Sequence, residues 1–189
     1  METEPAAADT SPARDFAPFL ESVRSAPADG GVVELIVLRP DRDERQLVAE
    51  VELDPARGVA GDNWSARPSR STPDGSADPE DQVTIMSTRV LAAIADDRER
   101  WPLAGDQIYV DADLSVENLP AGTRVAVGTV ILEISEKPHT GCAKFTERFG
   151  SDATRWINSP TGRELRLRGM NLRVVQSGTV RTGDTIRRI

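Results

Sequence analysis

Aromatic residues are scarce in this chain: four Phe, three Trp and one Tyr among 189 residues, or 4%. A core built on stacked rings is excluded, and burial has to come from Val, Leu, Ile and Ala. There is one cysteine, Cys142. It can form no internal disulfide and suits a reducing, cytoplasmic setting. The one histidine, His139, excludes a His-rich metal cage, and Cys plus His falls short of the four ligands that a structural zinc site wants. No apolar run approaches the roughly 20 residues needed to cross a bilayer, so no membrane partner is expected. The opening METEPAAADTSPARD has neither a basic n-region nor an apolar h-region and does not read as a secretory signal. Lysine occurs only at 137 and 144, and the other 21 basic residues are arginine.

Charge is present in quantity but unevenly spread. The net charge is −8. From Arg148 to the end there are nine Arg against three acids, which leaves −14 on residues 1–147. That distribution is either a solvated basic tail or a positive lobe that meets an anion. The acidic body argues against a broad nucleic-acid surface, whereas a small phosphate-bearing ligand in a local pocket is compatible.

Residues 1–13, rich in Pro, Ala and acids, are expected to be a disordered tail, with 14–189 forming one domain. Phe16, Phe19, Leu20 and Val23 share one side of a short helix over 13–26. GVVELIVLRP (31–40) and RQLVAEVELD (45–54) read as a hairpin joined by DRDE. A long Gly/Pro/Ser/Asp loop spans 55–81, a length that is functional or disordered in most compact domains. QVTIMS (82–87) reads as a strand, TRVLAAIADDRERW as a helix capped by Ser87 or Thr88, and TVILEISEKP (129–138) as a strong strand. AKFTERFG and SDATRWINS read as two short helices, and 172–189 as short strands punctuated by Gly178 and Gly183. About seven to nine short strands point to a mainly β protein, a twisted β-barrel with a few short peripheral helices.

The stretch EKPHTGCAKFTERFG (136–150) holds both rare side chains. Pro138 stops the preceding strand, Gly141 permits a tight path, and Cys142 falls at the start of a helix. A helix N-terminus and nearby Lys144 both favour a thiolate, which serves as a nucleophile or as a soft-metal ligand. The alternative is a cysteine buried as a small hydrophobe. His139 reads as a general acid, a hydrogen-bond donor to a ligand, or a loop residue. Trp64 either lines a ligand pocket or staples its loop. Arg168 and Asn171 either hold a polar ligand or pack on the sheet. Arg67 and Arg70 are placed to clamp an anion, and Asp62 to fix its loop by an Asx-type turn.

Five blocks in order resemble the MOSC domain, named after the C-terminal domain of molybdenum cofactor sulfurase. They are GDNW (61–64), QVTIM (82–86), the long block 104–135 that opens AGDQI, PHTGCAKF (138–145), and GRELRLRGMNLRVVQSGTVRTGDTIRRI (162–189). The match covers roughly two-thirds of the chain. The resemblance implies a β-barrel of that family's type. It implies that Cys142 ligates the molybdenum of a pterin-bound cofactor, molybdopterin, or carries a persulfide. His139 would act beside it, and Gly61, Asp62, Trp64, Arg67, Gln107, Thr140, Lys144, Arg168 and Asn171 would surround the cofactor. Family members include the mitochondrial amidoxime-reducing component and bacterial reductases of N-hydroxylated bases. The implied function is therefore reduction of N-hydroxylated or other N-oxygenated compounds with electrons from a partner protein. The alternative is a non-catalytic carrier of the cofactor or of sulfur, served by a sulfur-donor protein. The 65–81 loop lacks the His-Gly-Gly stretch of many reductase relatives, which tilts slightly toward the carrier. Pyridoxal phosphate, used by a different domain of the sulfurase, is not expected, because neither Lys137 nor Lys144 sits in a matching context.

Overall fold

A computed structural model describes residues 14–189; the expected tail at 1–13 lies outside the described residues. The chain begins with α1 (Ala17–Arg24), whose Pro18 sits in the first turn, where a missing N–H costs nothing. The strands are β1 (Gly31–Leu38), β2 (Gln46–Val48), β3 (Glu50–Asp54), β4 (Gly58–Val59), β5 (Val83–Ser87), β6 (Ile108–Asp111), β7 (Arg124–Val127), β8 (Val130–Ile134), β9 (Met170–Gln176), β10 (Gly178–Arg181) and β11 (Thr185–Arg188). The remaining helices are α2 (Thr88–Ile94), α3 (Ala143–Asn158) and α4 (Pro160–Glu164).

Seven strands close into a barrel in the order β11-β7-β8-β9-β5-β6-β1, sealed by antiparallel pairing of β1 with β11 at Gly31↔Ile186 and Val32↔Thr185. β2 extends the far end of β1, and β10-β3-β4 form a small second sheet. Only β5 and β6 pair in parallel, with α2 carrying the crossover that parallel strands require. Strand alternation splits the core in two. Ile36, Ile85 and Ile108 point into the barrel with Val125, Leu132 and Leu172. Their neighbours Val37, Met86 and Tyr109 point outward, under α1, α2 and α3, against Phe16, Leu91, Phe145 and Ile157.

Three expectations shift. The single strand expected over 45–54 breaks at Ala49, because β2 pairs with β1 whereas β3 pairs with β10 in the other sheet. The helix expected to run from 88 to 101 stops at Ile94. Asp97 then caps a separate 3-10 helix at Arg98–Ala104 by accepting from the Glu99 N–H. The two helices expected after Cys142 are present but abut. Gly150 stands between them at φ 87°, ψ 165°, a conformation essentially restricted to glycine.

Candidate functional site

The strand register brings the end of β1, the start of β6, the end of β8 and the entry to β9 to one rim of the barrel. The PHTGC loop crosses that rim between β8 and α3. Its path is pinned by Asn158, whose Oδ1 accepts from the Gly141 N–H at 3.0 Å. Cys142 ends the loop as the N-cap of α3, with extended backbone (φ −105°, ψ 178°), and its side chain is exposed. It is not packed among aliphatic neighbours.

Cys142 opens onto a cavity of about 540 Å³, within the size range of small-molecule sites. Its wall carries six arginines: Arg39, Arg42 and Arg45 from the β1–β2 turn region, Arg67 from the long loop, Arg148 from α3, and Arg168 ahead of β9. Lys144 adds a seventh cation, against Asp41 and Asp43. Several charges are already paired. Asp62, whose side chain is fully buried, accepts from Arg39 Nε at 2.8 Å and from its NH2 at 2.9 Å, a two-pronged ion pair. Asp43 pairs with both Lys144 Nζ and Arg148 NH2 at 2.7 Å. Arg45 and Arg67 have no carboxylate within 4 Å among the described residues. Burial holds the Arg45 guanidinium below its ordinary range, with repulsion from Arg148 adding to the effect.

At the floor lies a buried Arg–Asp–His arrangement. Arg168 NH1 donates to Asp106 Oδ2 at 2.6 Å and its NH2 to the Ala104 carbonyl at 2.9 Å, while its guanidinium lies 5.1 Å from the centre of the Phe145 ring. Burial pushes the Asp106 carboxyl up, and Arg168 pulls it back. His139 Nδ1 stands 3.4 Å from Asp106 Oδ1, too poorly aligned for a hydrogen bond, and both atoms are buried without a partner. Burial holds the imidazole well below its ordinary range, and the charges of Arg168 and Arg39 push the same way. His139 is therefore neutral at pH 7, and its approach to Asp106 is not an ion pair.

The residues expected around a ligand fall into separate places. Cys142, His139, Lys144, Arg67 and Arg168 line the arginine-walled cavity. Thr140 and Asn171 line a second cavity on the other side of His139 and Arg168. Gly61 and Asp62 border a third depression, beside β3, β4 and β10. Asp62 also makes the expected Asx-type turn, accepting from the Trp64 N–H at 3.0 Å. Trp64 is buried, its Nε1 donating to the Asp78 carbonyl at 3.0 Å, so it staples the loop. Gln107 is fully buried, its Oε1 accepting from the Thr84 N–H and hydroxyl at 2.7 Å each, which commits it to the barrel wall. Sequence reasoning passed over Arg39, Arg42, Arg45, Arg148 and Asp106. The charged run RPDRDER holds the first three, but it was read only as the end of one strand and the joint to the next.

The fold and site together are a small closed barrel with an exposed thiol at the mouth of an arginine-walled cavity. The model of the MOSC domain family matches residues 72–187, and the chain belongs to that family. No curated protein matches it. Among solved structures it is similar to the YuaD protein of Bacillus subtilis, at 18% identity over 82% of this chain and 93% of that one, with a TM-score of 0.58. It is also similar to YiiM of Escherichia coli, at 17% identity over 84% and 69% with a TM-score of 0.53. A hypothetical protein gives 18% identity over 88% and 70%, with a TM-score of 0.58. At these identities the likeness shows a shared fold.

Proposed function

We propose that the arginine-walled cavity binds molybdenum cofactor with Cys142 as the protein's ligand to the metal, and that the protein reduces N-hydroxylated or other N-oxygenated compounds with electrons from a partner protein. The observation that carries this reading is the exposed Cys142 thiol opening onto about 540 Å³ of space walled by six arginines. The residues fit the group. Among the described residues no cluster of three His, Cys, Asp or Glu could hold a bare metal ion. A metal that arrives already held by its pterin needs only one further soft ligand, and a thiolate is that ligand. The phosphate of the pterin suits Arg45 and Arg67, which have no acid of their own.

Bound there, the cofactor would supply a redox-active metal centre for removing oxygen from the substrate. The chain's own tasks are to hold the anion, to keep Arg168 oriented by Asp106, and to present a neutral imidazole at His139 as a hydrogen-bonding group. The exposed thiol also suits delivery of cofactor or sulfur without turnover, the carrier reading. Steady reduction of a hydroxylamine with an artificial donor supports the reductase, and cofactor loading with no turnover supports the carrier.

The test of binding is molybdenum and pterin content after expression in a molybdenum-competent host. The wild type is expected to carry close to one equivalent, and Cys142→Ser to lose at least about tenfold of it, the cost of removing one strong ligand. A wild type without pterin, or a Cys142→Ser variant that retains it fully, overturns the reading.

A further inference from the structure

On the far side of His139 and Arg168 lies a second cavity of about 430 Å³, bounded by the loop after β8, helix α4 and the turn into β9. Its lining mixes two chemistries, one of them cationic. Arg163 is exposed and Arg166 half-buried, and neither has a carboxylate within 4 Å among the described residues. Burial alone holds the Arg166 guanidinium below its ordinary range. Arg166 is nevertheless held in place: its backbone takes the left-handed φ of 47°, and its NH1 donates to the Leu119 carbonyl at 2.5 Å and the Leu114 carbonyl at 3.3 Å. A left-handed backbone therefore delivers a half-buried guanidinium with no carboxylate partner to the cavity lining. Arg168 adds a buried Nε with no acceptor. On the acidic side, Lys137 is already paired with Asp78 and Asp81, and Glu136 is the one carboxylate in the lining. The same lining carries apolar side chains, Val116, Ala121, Ile157 and Met170, and the Met170 Sδ lies 3.8 Å from Arg166 NH1. Val116 is 47% exposed and gives the lining accessible apolar surface.

A ligand that satisfies both chemistries carries a compact anionic group beside an apolar body. We propose that this second cavity is a binding site for a small organic carboxylate, its carboxylate taken by Arg166 and Arg163 and its apolar body by Val116, Ile157 and Met170. Planar carboxylates match a guanidinium fork in two parallel bonds, which a neutral amide cannot reproduce. The site needs neither Cys142 nor a cofactor, so it stands or falls apart from the function proposed above. Because His139 and Arg168 line both cavities, a carboxylate bound here sits directly behind the floor of the thiol-bearing one.

The experiment uses the full chain labelled with 13C at its methionine methyls and titrated with benzoate. Met170 lines this cavity, whereas Met86 is fully buried outside it and reaches its lining only through Arg168 NH1, 3.9 Å from the Met86 Sδ. The Met170 signal is expected to shift and saturate, and to shift by more than that of Met86. Benzamide should bind at least about tenfold more weakly, as expected for loss of one charge-assisted pair. Arg163→Ala and Arg166→Lys should each weaken benzoate several-fold, and Cys142→Ser should leave it unchanged. Arg163→Ala, an exposed truncation, keeps the test valid if Arg166→Lys fails to fold. The proposal is overturned by a Met170 signal that does not respond to tens of millimolar benzoate, by equal binding of benzamide, or by inorganic phosphate binding as well as benzoate.

Discussion

His139 is the single histidine of the chain, so its imidazole can be followed without ambiguity. The unfolded chain takes up a proton there near pH 6.5, whereas the folded imidazole, buried beside Arg168 and Arg39, does not. Below about pH 6.5 the unfolded state therefore binds more protons, and stability falls as pH drops until the folded pKa is reached; above that range this group contributes no slope. The one imidazole 13C signal is expected to show no protonation step between pH 8 and 6. A midpoint at or above 6.5 would contradict the packing described. The rarity of Cys142 and His139, and their spacing around Pro138 and Gly141, were legible from the sequence. The neutral state of His139 was not, because it depends first on burial and then on Arg168 and Arg39, which surround it only through strand pairing.

At the scale of elements, Asp62 and Arg39 tie the long loop to the end of β1. Both are buried, and Arg39 NH1 also donates to the Gly105 carbonyl at 2.9 Å, which joins the entry of β6 to the same knot. Asp62→Ala leaves a buried guanidinium without its counter-charge and is expected to cost about 3 kcal/mol. Urea unfolding measures this, and Arg39→Met in the Asp62→Ala background should restore part of the loss. A cost below about 0.5 kcal/mol would mean that the pair is solvated and the knot unimportant. Element types were largely readable: β1, β5, β8 and the paired helices after Cys142 fall where β-branched runs and 3.6-residue spacing put them. The break between β2 and β3 was not readable, since both halves of RQLVAEVELD carry the same alternation and only their different partners divide them.

For the molecule as a whole, closure of the barrel rests on Gly31, where β1 meets β11 while running against β6. A Cβ at Gly31 would press on the Asp111 carbonyl, at the end of β6, and on the buried Ala112 side chain just beyond it. Gly31→Ala is expected to cost about 3 kcal/mol, the upper end for overpacking, because backbone cannot move aside as a side chain can. Trp fluorescence and far-UV circular dichroism should lose signal at the same urea concentration if the barrel unfolds as one unit. Separate transitions would show the helical layer over Met86 and Tyr109 to be independent. No helix among the described residues is long and apolar enough to cross a membrane.

The sequence by itself determined the family, the barrel class and the thiol at a helix start. These follow from local patterns: alternation, turn residues, and an ordered set of short motifs. Arg67 and Arg168 were expected near that thiol, whereas the tertiary structure alone added Arg39, Arg42, Arg45 and Arg148. The first three lie 97 to 103 positions before Cys142, around the joint of an expected hairpin. Only the closing of seven strands in a fixed register brings them to one rim, where their shared charge acquires a direction and a cavity to act on.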